Sequence, residues 1–212
     1  MPVVVSKSEK RCDKEEQMRN RSMMSVLGVV VGIGFVTGEA AAFSASYDQK
    51  TTQGRRVMDG KVSLKDELFR METAADGQTA VILHNREGTF MVMPSEGMAM
   101  KTVLHPGQGP VRGAGNYAQY LRERQAERIG SETVGGYACD IYRFSDPEAG
   151  GMVTAWVWKE KMFPVRFEVE GTDGKMLIEL SNLQLGANIP DAAFQLPDGV
   201  AVMDMGALMN MQ

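Results

Sequence analysis

Thirteen of the chain's seventeen methionines fall at or after Met58, and their spacing is the first hint of chemistry. Met91 and Met93 precede the segment Pro94-Ser95-Glu96-Gly97, and Met98 and Met100 follow it. If that segment closes a four-residue hairpin loop, Met93 stands opposite Met98 and Met91 opposite Met100. Residues two apart on a strand share a face, and so do residues directly paired across a hairpin. All four thioethers would then line one surface. Three uses of such a surface stay open. Methionine packs irregular cores, it makes apolar grooves that adapt to ligands of variable shape, and thioethers hold soft Cu(I). Met203, Met205, Met209 and Met211 form two further Met-x-Met pairs, which are the metal alternative's best residues.

The remaining reactive types give less. Trp156 and Trp158 share one strand face beside Lys159 and Lys161, a pattern that suits a core, a groove lining or a ligand grip. His84 and His105 are not spaced to chelate a metal with a second ligand. Cys139, between Tyr137 and Tyr142, reads as a buried, inert thiol. Glu168 and Glu170 read as the polar side of a half-buried strand. There is no Gly-x-Ser-x-Gly elbow, His-Glu-x-x-His pair, phosphate loop or Cys-x-x-Cys. The expectation is a protein without catalytic residues or cofactor, and not an enzyme.

The elements that must position these residues follow from turn chemistry and periodicity. Arg19 and Arg21 precede fourteen uncharged residues, Met23–Val36, and then Ala40-Ala41-Ala42. That order is a secretion signal cleaved after Ala42, and the apolar run is shorter than the roughly 20 residues of a membrane span. Residues 1–42 are therefore expected to be removed, and 1–17 read as a mis-assigned extension upstream of a start at Met18, Met23 or Met24. The chain would be periplasmic, with no permanent membrane span. Its net charge of −4 and the interleaving of Arg122, Arg124 and Arg128 with Glu123 and Glu127 exclude a nucleic-acid surface. After cleavage only Cys139 remains, so no intrachain disulfide is expected.

From Phe43 onward, short alternating runs separated by Asp59-Gly60, Asp76-Gly77, Glu87-Gly88, Gly135-Gly136 and Asp173-Gly174 predict about ten or eleven antiparallel strands. The Gly- and Pro-rich stretch 105–115 predicts a loop, and Asn116 caps a helix predicted from Tyr117 to about Arg128. The fold class is mainly β: a curved antiparallel sheet with one helix, or few, on its concave face. Residues 43–202 form the domain and 203–212 a Met-rich tail.

Several stretches together resemble a known family. They are Gly60–Lys65 with Phe69–Glu72; Phe90-Met91-Val92-Met93-Pro94; Gly130–Cys139; Trp156 to Phe163-Pro164-Val165; and Asp191–Pro197. In order and spacing they resemble the LolA/LppX-like periplasmic lipoprotein-carrier superfamily, in its DUF4412-type branch, over nearly all of residues 43–200. The resemblance implies an unclosed half-barrel around a helix, with an apolar cavity that holds acyl chains in the carrier members. Here a single helix stands where the carriers have more lid elements. On this reading a lipid, acyl chain or lipoprotein occupies a cavity lined by Met91, Met93, Met98, Met100, Trp156 and Trp158. Tyr117, Tyr120 and Leu121, with the loop before them, act as its lid. The alternatives are an envelope interaction or sensory domain without a small ligand, and a Cu(I)-binding protein.

Overall fold

The computed structural model describes residues 43–75, 78–102, 114–147, 149–172 and 174–204. The signal segment, His105 and most of its loop, and Met205, Met209 and Met211 lie outside the described residues. Six strands come first: β1 (Ser44–Gln53), β2 (Arg56–Lys65), β3 (Leu68–Ala75), β4 (Gln78–Asn85), β5 (Gly88–Met93) and β6 (Met98–Thr102). The helix α1 (Tyr117–Glu123) follows, then β7 (Glu127–Val134), β8 (Tyr137–Asp146), β9 (Gly151–Trp158), β10 (Phe163–Gly171), β11 (Gly174–Leu185) and β12 (Ala201–Asp204).

These strands make one open, curved sheet in the order β12-β6-β5-β4-β3-β2-β1-β11-β10-β9-β8-β7. It is two antiparallel meanders, β1–β6 and β7–β11, joined where β11 pairs with β1. β6 and β7 therefore lie near opposite edges, and the chain between them has to traverse the sheet. The helix sits in that connection.

Following the register across the strands separates two faces. Tyr47, Val62, Met71, Ile82, Met91 and Met100 are successive partners from β1 to β6. Thr51, on the same face of β1 as Tyr47, continues the other way through Ile178, Phe167 and Ala155. We call this the inner face because α1 packs on it. The Tyr117 ring meets Phe167 at 6.3 Å and the Tyr120 ring meets Phe144 at 5.7 Å, both edge to face. Such pairs add about 0.5–1.5 kcal/mol beyond the area they bury.

The outer face of β4–β6 carries Val81, Leu83, Phe90, Val92 and Ala99, which pack with Ile189 and Phe194. Those last two belong to the strap between β11 and β12, which crosses this face and delivers β12 parallel to β6. An irregular segment carries carbonyls that no ladder satisfies. Here Lys65 Nζ donates to the Ile189 carbonyl at 3.2 Å, Arg70 Nη1 to that of Ala193 at 3.2 Å, and Asn85 Nδ2 to that of Phe194 at 3.1 Å.

Three expectations need correcting. Asp59-Gly60 is not a turn; β2 runs through it, and the reversal comes at Gly54-Arg55, where Gln53 pairs with Arg56. Gly60 instead makes room, since a Cβ there would lie 2.8 Å from Met71 Cε. The helix has seven residues rather than about twelve. Asn116 does cap it, accepting from the Gln119 N–H at 3.3 Å, but Gln125 at φ +50° turns the chain away. Arg128 consequently lies in β7, ion-paired to Asp140 at 2.7 Å. The sheet also has twelve strands among the described residues, the extra one being the parallel β12, which takes Met203 from the tail into the fold.

Candidate functional site

The methionine hairpin has the register its loop length demands. Met91 pairs with Met100 and Met93 with Met98, and Gly97 closes the turn at φ +61°, a left-handed conformation that suits glycine. Val92 and Ala99 alternate with them and point to the outer-face core, so the four thioethers occupy the inner face. The row they join is longer than the sequence suggested. It runs Tyr47–Val62–Met71–Ile82–Met91–Met100, and Met203 of β12 extends it beside Met100.

Burial grades along this row. Tyr47, Val62 and Met71 are buried, Ile82 is 8 % exposed, Met91 and Met100 are half-buried, and Met203 is 44 % exposed. The row is thus closed at the centre of the sheet and open toward the β12 edge. At the closed end Tyr47 meets the edge of Phe163 at 6.2 Å, and Phe163 stacks on Phe43 at 6.3 Å. The Tyr47 hydroxyl is buried with no hydrogen-bond partner among the described residues. Burial raises its pKa far above that of a free phenol, so it stays protonated and remains a donor. Beside it Gln49 Nε2 donates to Thr51 Oγ1 at 3.2 Å, both side chains buried.

Tyr117 and Tyr120 pack on the inner face against Phe167 of β10 and Phe144 of β8, and Leu121 is also buried. The helix is also bolted down. Tyr120 Oη donates to the fully buried Asp146 carboxylate at 2.5 Å, and Arg124 Nη2 lies 3.5 Å from the same group. Arg124 further lies over the Tyr120 ring at 5.4 Å. Burial, and then the bond to Asp146, raise the Tyr120 pKa well above the usual phenol value.

The tryptophans do not join the methionines. Ala155 and Val157 point inward, so Trp156 and Trp158 stand on the outer face of the other half-sheet. There Trp156 packs with Cys139 and Val165, donates from Nε1 to Glu132 Oε2 at 2.9 Å, and carries the Arg166 guanidinium 4.7 Å above its ring. Trp158 packs on Tyr137 at 4.8 Å. The six residues expected to line one cavity therefore stand on two faces of the sheet, the four methionines on the inner face and the two tryptophans on the outer.

A family profile described as a domain of unknown function (DUF4412) matches residues 43–162, more than half of the chain. The chain belongs to the DUF4412 family. No curated protein sequence matches it. Among solved structures, this DUF4412 chain is similar to an uncharacterized conserved protein from Thermus thermophilus, with a TM-score of 0.52 at 11 % identity, covering 78 % of this chain and 91 % of the other. It is also similar to MucB in the MucA/MucB complex of Pseudomonas aeruginosa, with a TM-score of 0.49 at 13 % identity, over 76 % of this chain and 58 % of that one. A LolA superfamily protein from Nitrosomonas europaea gives 0.36 at 13 % identity, over 77 % and 93 %.

Away from the row, the DUF4412 chain has a cleft where the β2–β3 and β4–β5 turns meet the strap. The cleft, of about 630 Å³, is lined by Lys65, Asp66, Glu67, His84, Arg86 and Asp191, among others. Its charges are mixed, and Lys65 holds the Asp191 carboxyl below the usual carboxylate range at a contact of 2.5 Å. His84 Nδ1 lies 2.9 Å from Thr89 Oγ1. Cys139 is buried and bonded to the Tyr137 carbonyl at 3.3 Å, and burial pushes its thiol up, away from nucleophilic use. Among the described residues no three His, Cys, Asp or Glu side chains cluster to hold a metal, and no helix is long and apolar enough to cross a membrane. Sequence reasoning missed Tyr47 altogether; the signal available was its place in the alternation Ala45, Tyr47, Gln49, Thr51, whose buried members include two polar side chains.

Proposed function

We propose that this DUF4412 chain is a non-enzymatic periplasmic binding protein that lays an acyl chain, of a lipid or an acylated protein, along the inner-face row from Met203 toward Tyr47. The observation that carries the reading is the burial gradient of that row. It offers contiguous apolar and thioether surface that is shut at the sheet centre and accessible at the β12 edge. Five inter-strand steps of about 4.8 Å separate Tyr47 from Met100, roughly 24 Å, which is the span of a long acyl chain. Each methylene buried contributes about 0.8 kcal/mol, and thioether side chains adapt to chains that differ in length or unsaturation. The signal-like order of residues 19–42 supports export, and the resemblance to the lipoprotein carriers supports the ligand class.

The test is direct. The protein purified from the periplasmic fraction is expected to carry lipid in its organic extract by mass spectrometry, and to bind cis-parinaric acid with saturable fluorescence. Retention in the cytoplasm would remove the export half of the proposal. An extract free of lipid, together with no probe binding, would remove the ligand.

A further inference from the structure

The closed end of the row holds a feature that an apolar groove alone does not need. Tyr47 is only 2 % exposed, lies on the central strand β1, and its hydroxyl has no partner among the described residues. A buried, unsatisfied hydroxyl costs about 1–3 kcal/mol relative to a bonded one, so phenylalanine would be the more stable occupant of this position. The surroundings do not relieve that cost. Phe163 meets the Tyr47 ring edge to face and is itself stacked on Phe43, Val62 is the cross-strand neighbour, and Gln49 is turned to Thr51. The donor stays protonated at any physiological pH, because burial alone holds the phenol neutral.

We infer that the Tyr47 hydroxyl is the polar anchor of the acyl site, donating a hydrogen bond to the carbonyl oxygen of a free fatty acid's own terminal carboxyl group. This deepens the acyl-binding reading and rests on it. The chemistry follows from the position. A hydrocarbon tail along Met71, Ile82, Met91 and Met100 leaves a single polar requirement at the inner end of the row, and a carboxyl group that burial keeps protonated accepts there without burying an unpaired charge. The arrangement would also fix polarity: carbonyl at the sheet centre, tail toward β12. An apolar wall with one placed polar group is how small-molecule sites set orientation.

The test is Tyr47→Phe, which keeps the ring and deletes the donor. Three probes are titrated against both proteins: cis-parinaric acid, its methyl ester, and the hydrocarbon diphenylhexatriene. Wild type is expected to bind all three. The variant is expected to unfold at the same or a higher temperature, to lose about five- to tenfold in affinity for the carbonyl-bearing probes, and to hold the hydrocarbon unchanged. Loss with the acid, with or without the ester, assigns the fatty acid's carboxyl, and loss with the ester alone overturns it. Unchanged affinity for both carbonyl probes, or an equal fall for all three, overturns the anchor while leaving the acyl groove standing. Failure of wild type to bind any probe overturns the groove and the anchor together.

Discussion

Replacing Asp146 by alanine tests whether the helix is a moving lid or a fixed plug. Asp146 is wholly buried, accepts from Tyr120 Oη at 2.5 Å, faces Arg124 Nη2 at 3.5 Å, and accepts from the Ala149 N–H at 3.3 Å. Removing one partner of a buried charged pair costs about 3–5 kcal/mol, because the other is left without compensation. Arg124 keeps 22 % of its side-chain surface in solvent, so the lower end applies, about 3 kcal/mol. For a chain of this size each kcal/mol moves the midpoint by about 2–4 °C, which gives a fall of about 6–12 °C. The measurement is thermal and urea unfolding of Asp146→Ala, Tyr120→Phe and the double variant. Tyr120→Phe alone should cost about 1–2 kcal/mol, and the pair should be coupled by about 1 kcal/mol or more. A loss below about 1 kcal/mol for Asp146→Ala, or strict additivity, would refute the bolt and return α1 to the role of a lid.

Three further outcomes separate the two sheet faces and the surface charges. Met91→Lys places a cation on the half-buried inner row; cis-parinaric acid affinity should fall at least about tenfold with the unfolding midpoint within a few degrees of wild type, measured by fluorescence titration and circular dichroism. Trp156→Ala should cost about 3–5 kcal/mol in urea unfolding through lost packing, yet leave probe affinity unchanged, since the ring is on the outer face. A Trp156→Ala protein that folds but loses the probe would put the site on the wrong face. Asp140 is held below the ordinary aspartate value of about 3.9, first by its hydrogen bond from Arg128. Its folded pKa being depressed, its contribution is present above the unfolded value and disappears as pH falls through the folded one. The stability gap between wild type and Asp140→Asn should therefore be open at about pH 7 and narrow below about pH 4; a gap that stays constant would contradict the assignment.

The methionine hairpin was legible because loop length and two-residue periodicity fix both register and face, and nothing distant can change that parity. The Gly135-Gly136 reversal was legible for a similar reason, with both residues at positive φ between Val134 and Tyr137. Relations between hairpins were not legible. Pairing of β11 with β1 sets the Trp156 face against the Met91 face, and that pairing joins residues far apart in the chain, such as Thr51 and Ile178. Local alternation establishes that Trp156 and Trp158 share a face but not which face it is. The glycine at position 60 misled because its reason is tertiary: it clears space for Met71 in the middle of a strand. The helix overran in prediction because Arg124, Glu127 and Arg128 suit a solvated helix face as well as an edge strand.

The same topology accounts for why the proposed site is one-sided. Among the described residues two segments cover the sheet, and each lies in a connection between distant strands. The strap runs to β12 over the outer face of β4–β6, and the helix, on the way from β6 to β7, packs over the inner face of β8–β10. Each crossing protects one face of one half. The described helix leaves the inner face of β4–β6 to half-buried methionines, the one side-chain type that tolerates both water and a variable apolar guest. A core position would favour leucine or isoleucine there, as Ile82 does one strand further in. The passage from Val62 through Ile82 to Met91, Met100 and Met203 is thus a graded change from buried to accessible apolar surface, and it ends at the only parallel pairing among the described strands. β12 is held there by four residues and the strap. Shortening the strap at Gly199 should therefore loosen the open end of the row and weaken probe binding before it unfolds the sheet; probe affinity that outlasts loss of β12 protection in hydrogen exchange would show that the strand plays no part in the site.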